Sequence, residues 1–207
     1  MDRTIELGDK MLIAIEGIDG AGKTTIVKFL EGELKKRGYD VITFKEPTDS
    51  EWGQKIRQAL KDRSLKPEDE LELFLKDREL NVKNNILPAL KAGKIVIMDR
   101  YYYSTIAYQG ALGLDPEHIK RLNEEFAPRP DLVIVLDIKP ETALKRIKKR
   151  GDKPNRFEDL EYLKKVREIF LSSKNKNVII INAERDLKSV EAEVFQSVLK
   201  LLKKNIG

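Results

Sequence analysis

The chain contains no cysteine, so disulfides and thiolate metal sites are excluded. Histidine is nearly absent as well. His118 stands alone, which argues against a zinc cluster and against a Ser-His nucleophile system. No apolar run reaches the length of a membrane span, and Met1–Lys10 lacks the apolar core of a signal peptide. A soluble, cytoplasmic protein with no membrane partner is the expectation. No low-complexity linker, internal repeat or composition boundary interrupts the 207 residues, which are read as one domain, 1–207. What the chain has is charge: 36% of residues are charged against 41% apolar, and the charges are interleaved, which argues against disorder. The net charge of +5 is modest and suits polyanions, whether nucleotides or nucleic acid.

Short apolar runs alternate with segments of helical spacing. Met11–Glu16, Asp40–Phe44, Lys94–Met98, Leu132–Leu136 and Val178–Ile181 read as strands. The first and third have the almost continuous apolar character of strands buried on both faces. Helices are expected from Lys23 to about Arg37, over Ser50–Lys61, from Pro67 to Leu90 with an interruption at Pro88, and over Tyr102–Gln109 and Pro116–Phe126. Three more are expected over Pro140–Arg150, Leu160–Ser172 and Leu187–Lys203, with Gly151–Asn155 as a loop. This alternation predicts an α/β fold, a five-stranded parallel sheet flanked by helices on both faces. In such sheets ligands bind at the carboxyl ends of the strands, which brings together the loops after Glu16, Phe44, Met98 and Leu136.

The first of those loops reads Gly17-Ile18-Asp19-Gly20-Ala21-Gly22-Lys23-Thr24. Strand, glycine-rich turn and helix, with Lys-Thr at this offset, form a phosphate cradle. Backbone amides from Gly17 to Gly22 point at the phosphates beside the positive end of a helix. Lys23 reaches the β- and γ-phosphates, and the Thr24 hydroxyl holds Mg²⁺. A plain turn between strand and helix has no need of the Lys-Thr pair. A dinucleotide-binding turn would need glycine at Asp19 or Thr25. The loop predicts a nucleoside-triphosphate site. Asp99-Arg100, at the end of the third strand, places a second metal ligand in Asp99 and a phosphate clamp in Arg100. The alternative there is a surface ion pair.

Gly17–Thr24, Asp99-Arg100-Tyr101, Ser104 and Ala107-Tyr108-Gln109-Gly110 together resemble the thymidylate kinases. Phe74 and Arg78 match that family's Phe-x-x-x-Arg, and Arg156-Phe157-Glu158 matches the end of its lid. The resemblance implies a three-layer P-loop kinase fold with a mobile basic lid at about 146–158. It also implies transfer of the γ-phosphoryl group of ATP to dTMP, with Mg²⁺, in a homodimer formed by helix packing, for which Leu71–Leu87 supplies a face. By the same resemblance Phe74 stacks on thymine and Arg78 bonds its edge, where Phe74 by itself reads equally as a core aromatic. Tyr108 lies under the deoxyribose, Gln109 and Ser104 belong to the acceptor site, and the loop at Glu46 lies near the acceptor phosphate. Asp19 contacts the acceptor 3′-hydroxyl or a nearby arginine.

Some members of that family carry an arginine where this chain has Gly20. Others supply the cation from the lid, and the basic run Arg146, Lys148, Lys149, Arg150, Lys153 and Arg156 resembles the second kind. Arg150 and Arg156 are the candidates for the transferred phosphoryl group, and Arg146 faces the adenine or the sheet. The alternative for this run is a solvated helix face. An acceptor phosphate is already a nucleophile, so no side-chain base is expected. The rival readings are another small P-loop kinase, for dUMP, another nucleotide or a deoxynucleoside, and a nucleic-acid-stimulated ATPase or switch. Helicase and switch motifs are missing, so nucleic acid is not expected as a partner.

Overall fold

A computed structural model describes residues 10–62, 64–150, 159–173 and 175–205. The lid residues 151–158, Arg156 among them, lie outside the described residues. The five expected strands form one parallel sheet: β1 (Met11–Glu16), β2 (Val41–Lys45), β3 (Ile95–Asp99), β4 (Leu132–Asp137) and β5 (Val178–Asn182). Their spatial order is β2-β3-β1-β4-β5, so the strand that leads into the glycine loop is central. Its two neighbours pair with it in parallel register, Ile15 beside Asp99 on one side and Ile134 on the other. Every residue of β1 and β3 is buried, as their unbroken apolar runs require, whereas the edge strands are half exposed.

The helices in chain order are α1 (Lys23–Lys36), α2 (Glu51–Asp62), α3 (Pro67–Asn81), α4 (Leu87–Lys91), α5 (Tyr102–Ala111), α6 (Pro116–Glu124), α7 (Pro140–Arg150), α8 (Leu160–Leu171) and α9 (Leu187–Asn205). The interruption expected at Pro88 takes the form of a π-helical stretch, Val82–Ile86, between α3 and α4. Proline has no N–H and its ring crowds the carbonyl four residues back. The wider turn, in which the Leu87 N–H bonds to the Val82 carbonyl, absorbs that conflict without ending the helix. The third and fourth strands each run one residue further than expected, so that Asp99 and Asp137 are their last residues. Among the described residues no helix is long and apolar enough to cross a membrane.

Candidate active site

The loop after β1 turns into α1 through Gly22, which adopts a left-handed conformation (φ 97°), and no side chain caps the helix N-terminus. Without a side-chain acceptor, the N-terminal amides of α1 suit an anionic ligand. Lys23 is buried and folds back over the loop, its Nζ donating to the carbonyls of Gly17 (3.0 Å) and Ile18 (2.8 Å). Burial and the nearby Arg100 lower its ammonium to about 7, despite Asp19, Asp99 and Glu16. The Thr24 hydroxyl donates to Asp99 Oδ2 at 2.5 Å, so the two expected metal ligands meet at the mouth of the loop. Among the described residues no cluster of three or more metal-binding groups is found. A hydroxyl and one carboxylate fit Mg²⁺, which keeps water and phosphate oxygens as its other ligands.

Arg100 follows β3 with φ 72°, a left-handed conformation that is costly for a residue with a side chain. Its backbone N–H is tied to the Ile15 carbonyl (3.1 Å). Nη2 pairs with Asp19 Oδ1 at 2.5 Å, and Nη1 donates to Ser104 Oγ (2.9 Å). The Tyr108 hydroxyl accepts from the Asp19 N–H (3.0 Å) and donates to Asp19 Oδ2 (3.1 Å). Burial alone would raise the Asp19 carboxyl, but Arg100 and Lys23 bring it down to about 2. Asp19, Arg100, Ser104 and Tyr108 are thus brought together as the sequence led one to expect, and they wall a cleft of about 160 Å³ with Phe74, Pro47, Leu60 and Thr105.

Arg78, Glu46 and Gln109 stand behind this wall. Arg78 is 2% exposed; its Nε donates to Glu46 Oε2 (2.8 Å), Nη1 to Asn123 Oδ1 (2.5 Å) and Nη2 to Thr105 Oγ1 (3.0 Å). Glu46 also accepts from Asn81 (3.0 Å). Gln109 donates to the buried Glu70 (3.2 Å), while its Oε1 is the one buried side-chain polar atom without a hydrogen-bond partner among the described residues. Thr105, which the sequence reading passed over, is the residue that connects the Arg78 fork to the cleft surface.

Asp77 also went unnoticed, since a buried aspartate inside a helix carries no pattern. It accepts from the Thr48 N–H (2.8 Å), the Thr48 hydroxyl (2.5 Å) and the Ser50 hydroxyl (2.6 Å). Adjacent Asp77 and Arg78 therefore hold opposite ends of the loop from Glu46 to Ser50. Gly53 lets α2 lie against that loop, because a Cβ there would meet the Thr48 carbonyl oxygen at 1.9 Å. Asp77→Asn keeps one acceptor oxygen, so either the Thr48 N–H or the two hydroxyls lose theirs, and stability should fall by about 1–3 kcal/mol. With Pro47 on the cleft wall, the acceptor KM should also rise. Thermal unfolding and steady-state kinetics check this; wild-type values in both would show that Asp77 does not hold the loop.

On the other face of the glycine loop lies a cavity of about 560 Å³, lined by Gly20, Gly22, Thr25, Arg146, Arg185 and Leu187 among others. Arg146 reaches across it, donating to the carbonyls of Gly20 (3.4 Å) and Ala183 (3.2 Å). Arg185 and Leu187 had no signal in the sequence, because they border the cavity from the turn after β5 and the start of α9. Gly20 has φ 83°, and a Cβ on it would lie 2.7 Å from the Ala143 carbonyl oxygen of α7. An arginine at this position has no room unless α7 moves. Lys148 and Lys149 are exposed on α7, and Arg150 is its last residue.

A family model described as thymidylate kinase matches residues 15–194. The chain belongs to the thymidylate kinase family. The matched range includes every residue that borders the cleft or the cavity. A protein of Archaeoglobus fulgidus named "Probable thymidylate kinase" is 52% identical over 93% of this chain and 98% of its own length. Proteins named thymidylate kinase from Xanthomonas campestris and Xylella fastidiosa are 45% and 40% identical, over 96% and 95% of this chain and 88% and 94% of their own lengths. Consecutive residues of one loop separate the two hollows, Asp19 lining the cleft and Gly20 the cavity.

Proposed function

We propose that this protein transfers the γ-phosphoryl group of ATP to dTMP, giving ADP and dTDP. The observation that carries the reading is that division at Asp19 and Gly20: donor and acceptor on opposite faces of one phosphate loop have their phosphates meeting across it. An oxygen of the dTMP phosphate attacks the γ-phosphorus, the bond to the β,γ-bridging oxygen breaks, and ADP leaves with that electron pair. The nucleophile is ionised at neutral pH, so the chain contributes alignment and charge. The amides from Gly17 to Thr24 and Lys23 hold the donor phosphates, and Arg146 borders the adenosine. Arg100 clamps the acceptor phosphate, and Asp19 and Tyr108 orient the sugar. Phe74 offers its ring to thymine, and Arg78, Glu46 and Gln109 serve the base end from behind, Arg78 by way of the Thr105 hydroxyl. Thr24 and Asp99 would hold Mg²⁺, which neutralises phosphate charge when bound.

The steric closure of Gly20 supports a lid-supplied cation, for which Arg150 and Arg156 are the proposed sources within a lid spanning 146–158 of a single kinase domain. A cytoplasmic enzyme with neither nucleic acid nor membrane as partner is proposed with this activity. A homodimer is proposed through the segment Leu71–Leu87, in which Leu80 and Leu87 are exposed at 39% and 46%. Light scattering would give twice the chain mass, and a monomeric mass would exclude it. For the activity, ADP release with ATP and Mg²⁺ should be measured for dTMP, dUMP, dCMP, dAMP and the deoxynucleosides. The highest kcat/KM is expected for dTMP; inert dTMP would overturn the assignment.

A further inference from the structure

Glu16 is the last residue of β1, immediately before the phosphate loop, and it is fully buried. It had no part in the sequence reading and no direct line to either hollow. Its contacts are with a different part of the chain. Oε1 accepts from the backbone N–H groups of Tyr101 (2.8 Å) and Ser104 (3.2 Å), and Oε2 accepts the Ser104 hydroxyl (2.6 Å). Tyr101 is the N-cap residue of α5 and makes no side-chain cap of its own. Glu16 therefore caps this helix from 85 residues away, satisfying the amides at the cap and third helical positions.

The direction of the hydroxyl bond is what matters for Arg100. In its ionised form the Glu16 carboxylate only accepts, so Ser104 then gives its hydrogen to Glu16. Its lone pairs are then left for the Arg100 guanidinium, whose Nη1 donates to Ser104 Oγ at 2.9 Å. The backbone is held from the same strand. Arg100 has φ 72°, its own N–H bonds to Ile15, and the next N–H, that of Tyr101, bonds to Glu16. Consecutive residues of β1 thus pin both sides of the left-handed turn. Burial, countered by Ser104, Arg100, the Tyr101 amide and Lys23, raises the Glu16 carboxyl to about 7, so the ionised form that takes the Ser104 hydrogen predominates above that pH.

We propose that Glu16 is a positioning residue whose carboxylate, through Ser104 and the N-terminus of α5, aims Arg100 at the acceptor phosphate. The inference rests on the reading of Arg100 as that clamp. Glutamine at position 16 keeps the size and one oxygen for the two amides, but its NH₂ group faces Ser104. The hydroxyl then has to accept from the amide, in competition with Arg100.

The test begins with wild-type enzyme and the acceptor panel, so that failure of the functional reading is seen separately as an inert dTMP. Given turnover, Glu16→Gln and Ser104→Ala should each raise the KM for dTMP about tenfold and lower kcat several-fold, with the KM for ATP within twofold of wild type. The double variant should be no worse than the poorer single one, because both changes cut one chain. A merely structural cap predicts something else: a lower melting temperature with unchanged kinetic constants for the folded fraction. That result, equal loss for both substrates, or singles whose effects multiply would each overturn the proposal. Should Glu16→Gln fail to fold, Ser104→Ala leaves both backbone bonds to Glu16 in place and tests the link from Ser104 to Arg100. An unchanged dTMP KM in that variant would refute the chain.

Discussion

Lys23→Ala should reduce the turnover of dTMP by about 10³-fold or more while leaving the protein folded. The size of the loss follows from where the ammonium sits. It is the one donor of the phosphate loop that brings a full charge, in a site shielded from water where that charge acts at full strength. Before a nucleotide arrives, the ammonium satisfies itself on the carbonyls of Gly17 and Ile18, and burial together with Arg100 holds it down to about 7. Triphosphate oxygens would replace neutral acceptors by anionic ones and restore the charged form. The same features explain why folding should survive. A cation whose charge is disfavoured in the folded chain contributes little to stability, and its loss relieves repulsion on Arg100. Steady-state kinetics and a melting curve on the same preparation decide. Full transfer in a folded Lys23→Ala protein would remove Lys23 from the mechanism.

The sheet was legible in the sequence because its strands are local. Five short apolar runs, each bounded by glycine, proline or charge, need no distant partner to be recognised, and all five formed. The π turn at Val82–Ile86 was legible only as a disturbance at Pro88. The site divides along the same line. Gly17–Thr24, Asp99-Arg100 and Phe74 announce themselves by spacing, and the fold gathers them at the carboxyl ends of β1 and β3. Glu16, Asp77 and Thr105 act through partners far away in the chain: the carboxylate of Glu16 meets residues 85 and 88 positions on, and Asp77 a loop 27 and 29 positions back. A one-dimensional pattern holds no trace of such pairs. Arg78 is the instructive middle case. Its spacing from Phe74 is visible in sequence, whereas its burial behind Thr105 depends on Glu46 and Asn123, which come from two other elements.

Those buried charges also tie together the elements behind the cleft wall. Arg78 and Glu46 are each almost fully inaccessible, and each has further hydrogen bonds beyond their mutual pair, the condition under which a buried ion pair is tolerated. Asp19 and Arg100 form a second pair nearer the surface, between the two hollows. In the proposed role of Arg100, an arriving phosphate would compete with Asp19 for a guanidinium that this pair has already oriented.

Arg100→Ala should lower kcat/KM for dTMP by about 10²–10³-fold and leave ATP affinity within a few-fold of wild type. Arg100 spans three acceptors at once, Asp19, Ser104 and the Gly17 carbonyl, with its fork held over the Tyr108 ring at 5.2 Å. A lysine can place one charge there but cannot reproduce the planar fork, so Arg100→Lys should recover less than a tenth of the lost activity. The backbone supplies an independent check. At φ 72° a side chain costs about 1–2 kcal/mol relative to the relaxed conformation, a penalty glycine escapes. Arg100→Gly should therefore unfold at a higher temperature than Arg100→Ala and be equally inactive. That combination, a stabler backbone with no recovery of transfer, would show that the strained turn is retained for the guanidinium it directs. If Arg100→Ala transfers phosphate to dTMP at the wild-type rate, or if lysine restores it, the clamp is not Arg100.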